Sequence, residues 1–166
     1  MAEITSPRDL FLHELGDILY VEEKLTKEVL PKLIQEVQNA EFRKGLERHL
    51  EQTKGHVTNL AQVFDALGEQ SETEQCLGFE GLEKEHDEMI GEVSDDLIDI
   101  VDAGAAARTE HYEIAAYTGL IEMARALGET DAVSLLEENL KEEKEALRKV
   151  ESVTKTLRDD TKAAIS

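Results

Sequence analysis

Apolar residues recur at alternating spacings of three and four along four stretches of this chain, the pattern that keeps one face of an α-helix dry. The first seam reads Phe11, Leu15, Ile18, Glu22, Leu25, Val29, and the second Phe42, Leu46, His49, Thr53, His56, Leu60, Val63, Leu67. The third runs Ala103, Ala106, Glu110, Glu113, Tyr117, Leu120, Ala124, Leu127, and the fourth Ala132, Leu136, Asn139, Glu143, Ala146, Val150, Val153, Leu157. Near its middle each seam is broken by glutamate or histidine. Burying an ionised carboxylate alone costs several kcal/mol, so acids gathered in a bundle core call for a cation or shared protons.

Punctuation along the chain sets the expected elements. Thr5 or Ser6 caps a first helix from about residue 7, with Pro7 and Asp9 in its first turn, and the helix is expected to run to about 38 with a kink at Pro31. After a turn at Asn39, a second helix spans about 40–67 and stops at Gly68. A polar loop follows, then a short helix over 78–91 on which Phe79, Leu82, His86 and Met89 share a face. The third long helix is predicted over 95–127 and the fourth over 131–157, with a fraying tail. The expected fold is all-α: one domain forming a ferritin-like antiparallel four-helix bundle, whose long crossover carries the short extra helix.

Composition agrees with helices, since 40% of residues are hydrophobic but only 4% aromatic, which favours packing through Leu, Ile, Val and Ala. A formal net charge of -20 repels phosphate backbones and anionic headgroups, so neither nucleic acid nor a membrane surface is an expected partner. Cys76 is the one cysteine, which excludes an intrachain disulfide and makes the cytoplasm the default location; the thiol itself reads as incidental.

Rise per residue places Glu22, His56, Glu110, Glu113 and Glu143 at about one height. Glu110 and Glu113, three apart, are neighbours on one face, and Glu143 approaches from the next helix. Four carboxylates and one imidazole suit a hard or borderline cation, so iron or manganese is expected, singly or as a pair. The competing structural account treats seam acids as polar register devices or as residues turned to solvent. His49 is expected to satisfy a local core hydrogen bond, Thr53 to stand beside the site, and Gln52 to border the stripe. His13, His86 and His111 read as surface or packing residues, and Glu137, Glu138, Glu142 and Glu145 as a solvated face with Lys141 and Lys144.

The segments DLFLHELGD and EEKL on the first helix, HLEQTKGHV on the second, EHYEIAAY on the third and LLEENLKEEK on the fourth resemble the ferritin-like proteins of the YciF type, a family of unknown function. The resemblance covers nearly the whole chain. It implies a bundle with a central metal site, frequent dimer formation and an association with bacterial stress responses, but no established reaction. In the wider ferritin-like superfamily two helices each give a Glu-x-x-His pair. Here Thr53 stands three residues before His56 and Ala146 three after Glu143, so two usual ligands are absent and fast ferroxidase activity is not implied. Lys54 lies near the same level, where its ammonium can stand in for a cation.

Three functions follow as expectations: a stress-response protein whose metal centre handles iron, oxygen or peroxide; a non-enzymatic dimeric helical stress protein; and a storage cage. A homodimer is the expected assembly, chiefly from the resemblance. Ile100, Ala107, Ile114 and Ile121 add a further heptad-spaced stripe that can pack against a partner.

Overall fold

Ser6 starts the first helix through a reciprocal cap: its Oγ accepts the Asp9 N–H at 3.1 Å, while the Asp9 carboxylate accepts the Ser6 N–H at 3.0 Å. The computed structural model describes residues 4–165, with side chains through 159. Its helices are α1 (Pro7–Lys24), α2 (Leu30–Glu36), α3 (Ala40–Leu67), α4 (Leu77–Ile90), α5 (Ile98–Leu127) and α6 (Thr130–Ile165). A π-helical turn, Leu25–Val29, joins α1 to α2, so the first three pieces make one rod. The predicted kink is thus realised one turn before Pro31: proline has no N–H to give and its ring crowds the carbonyl four residues back, and the wider turn accommodates both. The rod ends at Glu36 rather than 38.

Asn39 caps α3 by accepting the Phe42 N–H at 2.9 Å. Gly68 and Gly128 close α3 and α5 at φ 73° and 80°, a backbone region that a side chain strongly disfavours. A 3-10 turn, Asp95–Leu97, leads into α5. The fourth long helix continues to Ile165, past the expected end at 157, because no glycine or proline follows Leu157 to stop it.

Polar ties at the two ends fix the helix directions. Asp99, at the start of α5, accepts the N–H groups of Gln38 and Asn39 at 2.7 and 2.8 Å, holding that end beside the α2–α3 turn. At the opposite end Arg8 donates to the Leu67 carbonyl at 2.8 Å and lies 3.7 Å from Glu129. The rod and α6 therefore run one way, α3 and α5 the other, and each long helix packs against two antiparallel neighbours. The crossover from Gly68 to Leu97 returns the chain over the full length of the bundle. Within it α4 lies along the rod and α5, tied by Tyr20 to Glu80, Lys24 to Glu83 and Lys32 to Asp87.

The seams meet inside. Phe11, Leu15, Ile18, Leu60, Val63, Leu120 and Leu136 are buried at one end, with Leu46, Ala103, Ala106 and Val150 at the other. Cys76 is fully buried, and its sulfur lies 2.9 Å from the Tyr112 hydroxyl. The heptad stripe divides, with Ile121 buried and Ile100 38% exposed. Among the described residues no helix is long and apolar enough to cross a membrane.

Candidate metal centre

Between those apolar layers the bundle buries Glu22, Thr53, His56, Glu110, Glu113, Asn139 and Glu143 almost completely, with His49 close behind. The helices deliver them by phase. Glu22 lies one turn from Ile18 and Leu25 on α1, and Glu110 and Glu113 are successive inward positions of α5. His56 comes from α3 and Glu143 from α6, so every long helix contributes.

Two groups form around a shared acid. In the first, His49, Glu110, Glu113 and Glu143 each offer a donor atom within 4.8 Å of the others; in the second, Glu22, His56 and Glu143 do the same. His56 Nδ1 is 2.8 Å from Glu143 Oε1 and 3.3 Å from Glu22 Oε1, while His49 Nε2 is 3.2 Å from Glu110 Oε1 and 3.9 Å from Glu143 Oε2. Glu143 thus presents one oxygen to each group.

Many of these atoms lack a hydrogen-bond partner: Glu22 Oε2, Glu110 Oε2 and both oxygens of Glu113 and Glu143 are buried and unsatisfied. The His56–Glu143 contact, though short, lies outside hydrogen-bond geometry and is a charge contact. Native interiors rarely leave such atoms unpaired, and carboxylate oxygens with two imidazole nitrogens are the donors that iron and manganese take. The residues therefore form two buried groups that could each hold a metal ion, with Glu143 common to both.

Without a cation, protons must balance the charge. Burial, reinforced by the Glu143 charge, raises Glu110 and Glu113 well above the ordinary carboxyl range and so favours their protonated forms. Burial also raises Glu22, against the pull of His56. For Glu143 burial acts upward, but the close His56 and then the His49 charge outweigh it and hold this carboxyl below its usual value. Burial disfavours the His56 imidazolium too, yet Glu22, followed by Glu143, pushes it up to about 11, whereas burial lowers His49.

A polar shell holds these groups in place. Tyr117 donates its hydroxyl to Glu22 Oε1, Asn139 donates to that hydroxyl at 3.0 Å, and Asn59 donates to Asn139 Oδ1 at 2.8 Å. Outside the core, Glu142 Oε2 reaches His56 Nε2 at 2.9 Å, orienting the ring from its far side.

Some sequence expectations change. Glu142 leaves the solvated face to hold His56. His49 is not a local core residue but belongs to the first group; Thr53 instead takes the local role, donating to the His49 carbonyl at 2.8 Å. Lys54 is exposed and paired with Glu51 at 2.6 Å, so it cannot stand in for a cation. His86 is neither a surface nor a simple packing residue, since its Nε2 is 2.8 Å from the fully buried Asp102, a carboxylate that sequence reasoning missed.

A cavity of about 180 Å³ borders the centre. His49 and Glu110 line one part of it, Leu33 and Phe79 its apolar wall, and His86 and Asp87 another part. It has room for several water-sized molecules beside the acids.

Comparison with known proteins places these features in a family. A family model described as a domain of unknown function, DUF892, matches residues 6–163. Protein YciF of Escherichia coli (strain K12) is 35% identical over 138 residues, 82% of each chain. Among solved structures, the E. coli stress protein YciF has a TM-score of 0.88 at 31% identity, covering 94% of this chain and 99% of its own. YcfI from Rhodopseudomonas palustris, described as a candidate structural protein, has a TM-score of 0.87 at 41% identity, covering 90% and 95%. A Xanthomonas campestris protein at 17% identity and TM-score 0.76 shares the fold.

Proposed function

This chain belongs to the DUF892 family, and we propose that it acts as a stress-response protein whose bundle core holds a pair of iron or manganese ions for iron, oxygen or peroxide handling. The observation that carries the reading is Glu143, which faces both donor groups while neither of its oxygens has a hydrogen-bond partner. His49, Glu110 and Glu113 would hold one ion and Glu22 and His56 the other, with Glu143 between them. Such a pair supplies reversible one-electron chemistry. The chain's own contribution is a buried, preorganised ligand cage, a shell through Tyr117, Asn139 and Glu142 that fixes two of the ligands, and a cavity reaching His49 and Glu110. The likeness to the E. coli stress protein supports the physiological setting. The lone buried thiol fits a reducing cytoplasm, the acidic charge argues against a nucleic-acid or membrane partner, and a homodimer is the proposed assembly.

One observation favours a second reading, a non-enzymatic bundle without metal: burial shifts Glu110 and Glu113 toward their neutral forms, and the charged His56 offsets Glu143, so the cation-free core carries less charge. Metal analysis of protein purified without chelator separates the two. The metal reading expects two cations per chain, and about 2.7 kcal/mol of stabilisation when added Fe²⁺ or Mn²⁺ reaches a hundred times its dissociation constant. Sub-stoichiometric metal with no thermal shift would leave the structural bundle as the answer.

A further inference from the structure

Towards the α2 end of the bundle lies a second set of buried donors that the core centre does not use. Asp102 of α5 is 0% exposed and its Oδ2 has no hydrogen-bond partner. Glu36, the last residue of α2, is partly buried and directs an unpartnered Oε2 inward. His86 of α4, with only 9% of its side chain exposed, puts Nε2 2.8 Å from Asp102 Oδ1. The three offer one donor atom each within 4.8 Å of one another.

A plain ion pair accounts for half of this arrangement. His86 and Asp102 satisfy each other through one atom apiece, but the remaining Asp102 oxygen and Glu36 Oε2 are both buried without a hydrogen-bond partner. Lys32 pairs with the other Glu36 oxygen: its Nζ is 2.5 Å from Asp87 and 3.8 Å from Glu36 Oε1, the oxygen opposite the unpartnered one. His86 and Lys32 offset part of the negative charge, but neither is a hydrogen-bond partner of the two buried oxygens, which a bound cation would satisfy.

We propose that Glu36, His86 and Asp102 form a second divalent-cation site, separate from the core centre and drawn from α2, α4 and α5. Its donors are hard oxygens plus one borderline nitrogen, which suits a first-row divalent ion such as Mn²⁺. Binding there pins the crossover helix to the two long helices it lies along, in addition to the α4 ion pairs already described. The site does not depend on the core reading, because it shares no residue with the core donors.

Mn²⁺ alone is the probe. In Glu113→Gln/Glu143→Gln protein, which removes core ligands, equilibrium dialysis with electron paramagnetic resonance is expected to find one Mn²⁺ per chain, and adding His86→Gln or Asp102→Asn is expected to remove it. Binding that survives both added substitutions overturns the proposal, as does a core-disabled protein that binds nothing. Failure of the core reading looks different: the unsubstituted chain would then lose no Mn²⁺ on changing Glu113 and Glu143. Where a multiple variant does not fold, an anomalous map of Mn²⁺-soaked crystals of the unsubstituted chain decides. A peak among Glu36, His86 and Asp102 is expected, and a filled core with no peak there refutes the site.

Discussion

His56 Nδ1 lies 2.8 Å from Glu143 Oε1 although neither residue is more than 1% exposed, so a charge pair occupies the centre of the bundle. The same carboxylate turns its other oxygen toward His49. Removing it therefore touches both donor groups, whereas Glu22 and Glu113 belong to one group each. Glu143→Gln is expected to lose both core cations, and Glu22→Gln or Glu113→Gln only one, as read by metal-to-protein ratio. Equal losses from all three variants would contradict a bridging role. Glu143→Ala, which leaves His56 with Glu22 and Glu142 as its remaining acids, should also destabilise the metal-free protein in urea unfolding.

The protons that replace metal give stability a definite pH dependence. Glu110 and Glu113 have folded values raised above the ordinary 4.5, so the folded state holds protons that the unfolded chain has released, and stability falls as pH climbs through that window. His56, raised from 6.5 to about 11, acts in the same direction over its own window: its contribution is complete below 6.5 and lost as pH rises through 11. His49, lowered by burial, acts oppositely but only below about 6.5. Metal-free protein should thus lose stability from about pH 7 to about pH 9, by up to about 1.4 kcal/mol per pH unit for each proton concerned. Glu113→Gln should make the slope shallower, because a neutral amide replaces one protonated acid. Saturating Mn²⁺ should reverse the trend, since cation binding needs deprotonated ligands. Chemical denaturation across that range, with and without metal, checks all three slopes; a metal-free protein that gains stability with pH would show the acids to be ionised.

Helix phase made the long elements legible, because a seam of Leu, Ile, Val and Ala at three-four spacing has few other ways to become dry. It also pointed to Glu22, Glu110, Glu113, Glu143 and His56, since an acid or imidazole between two buried leucine-like positions has nowhere else to go. His49 was assigned elsewhere because seven residues of helix separate its backbone from His56 by about 10 Å, yet side chains reach along the axis, and the two rings end 6.5 Å apart. Asp102 stands beside Ala103 rather than on the seam, and it is buried where His86 of the crossover helix meets it. Glu142 was hidden in the same way: it follows a run of solvated acids, yet its carboxylate reaches His56 Nε2. The π turn had one trace in sequence, Pro31, which marks a disturbance without specifying its form.

Tyr117 tests whether the shell around the acids is structural or tuned for metal. Its hydroxyl donates to Glu22 Oε1 and accepts from Asn139, so Tyr117→Phe leaves a buried carboxylate oxygen and a buried amide without that partner. The metal-free variant should be destabilised by about 1–3 kcal/mol, the cost of stranding such groups. A shell that orients a ligand does more: losing it should weaken cation binding at the Glu22–His56 group by about 10–100-fold, while the group around His49, Glu110 and Glu113 keeps its affinity. Mn²⁺ titration in a His86→Gln background, which leaves only the two core groups, separates these effects, because only the phase belonging to Glu22 and His56 should move. If both phases move together, Tyr117 acts on overall packing; if neither moves while stability falls, its hydroxyl serves the fold and not the metal.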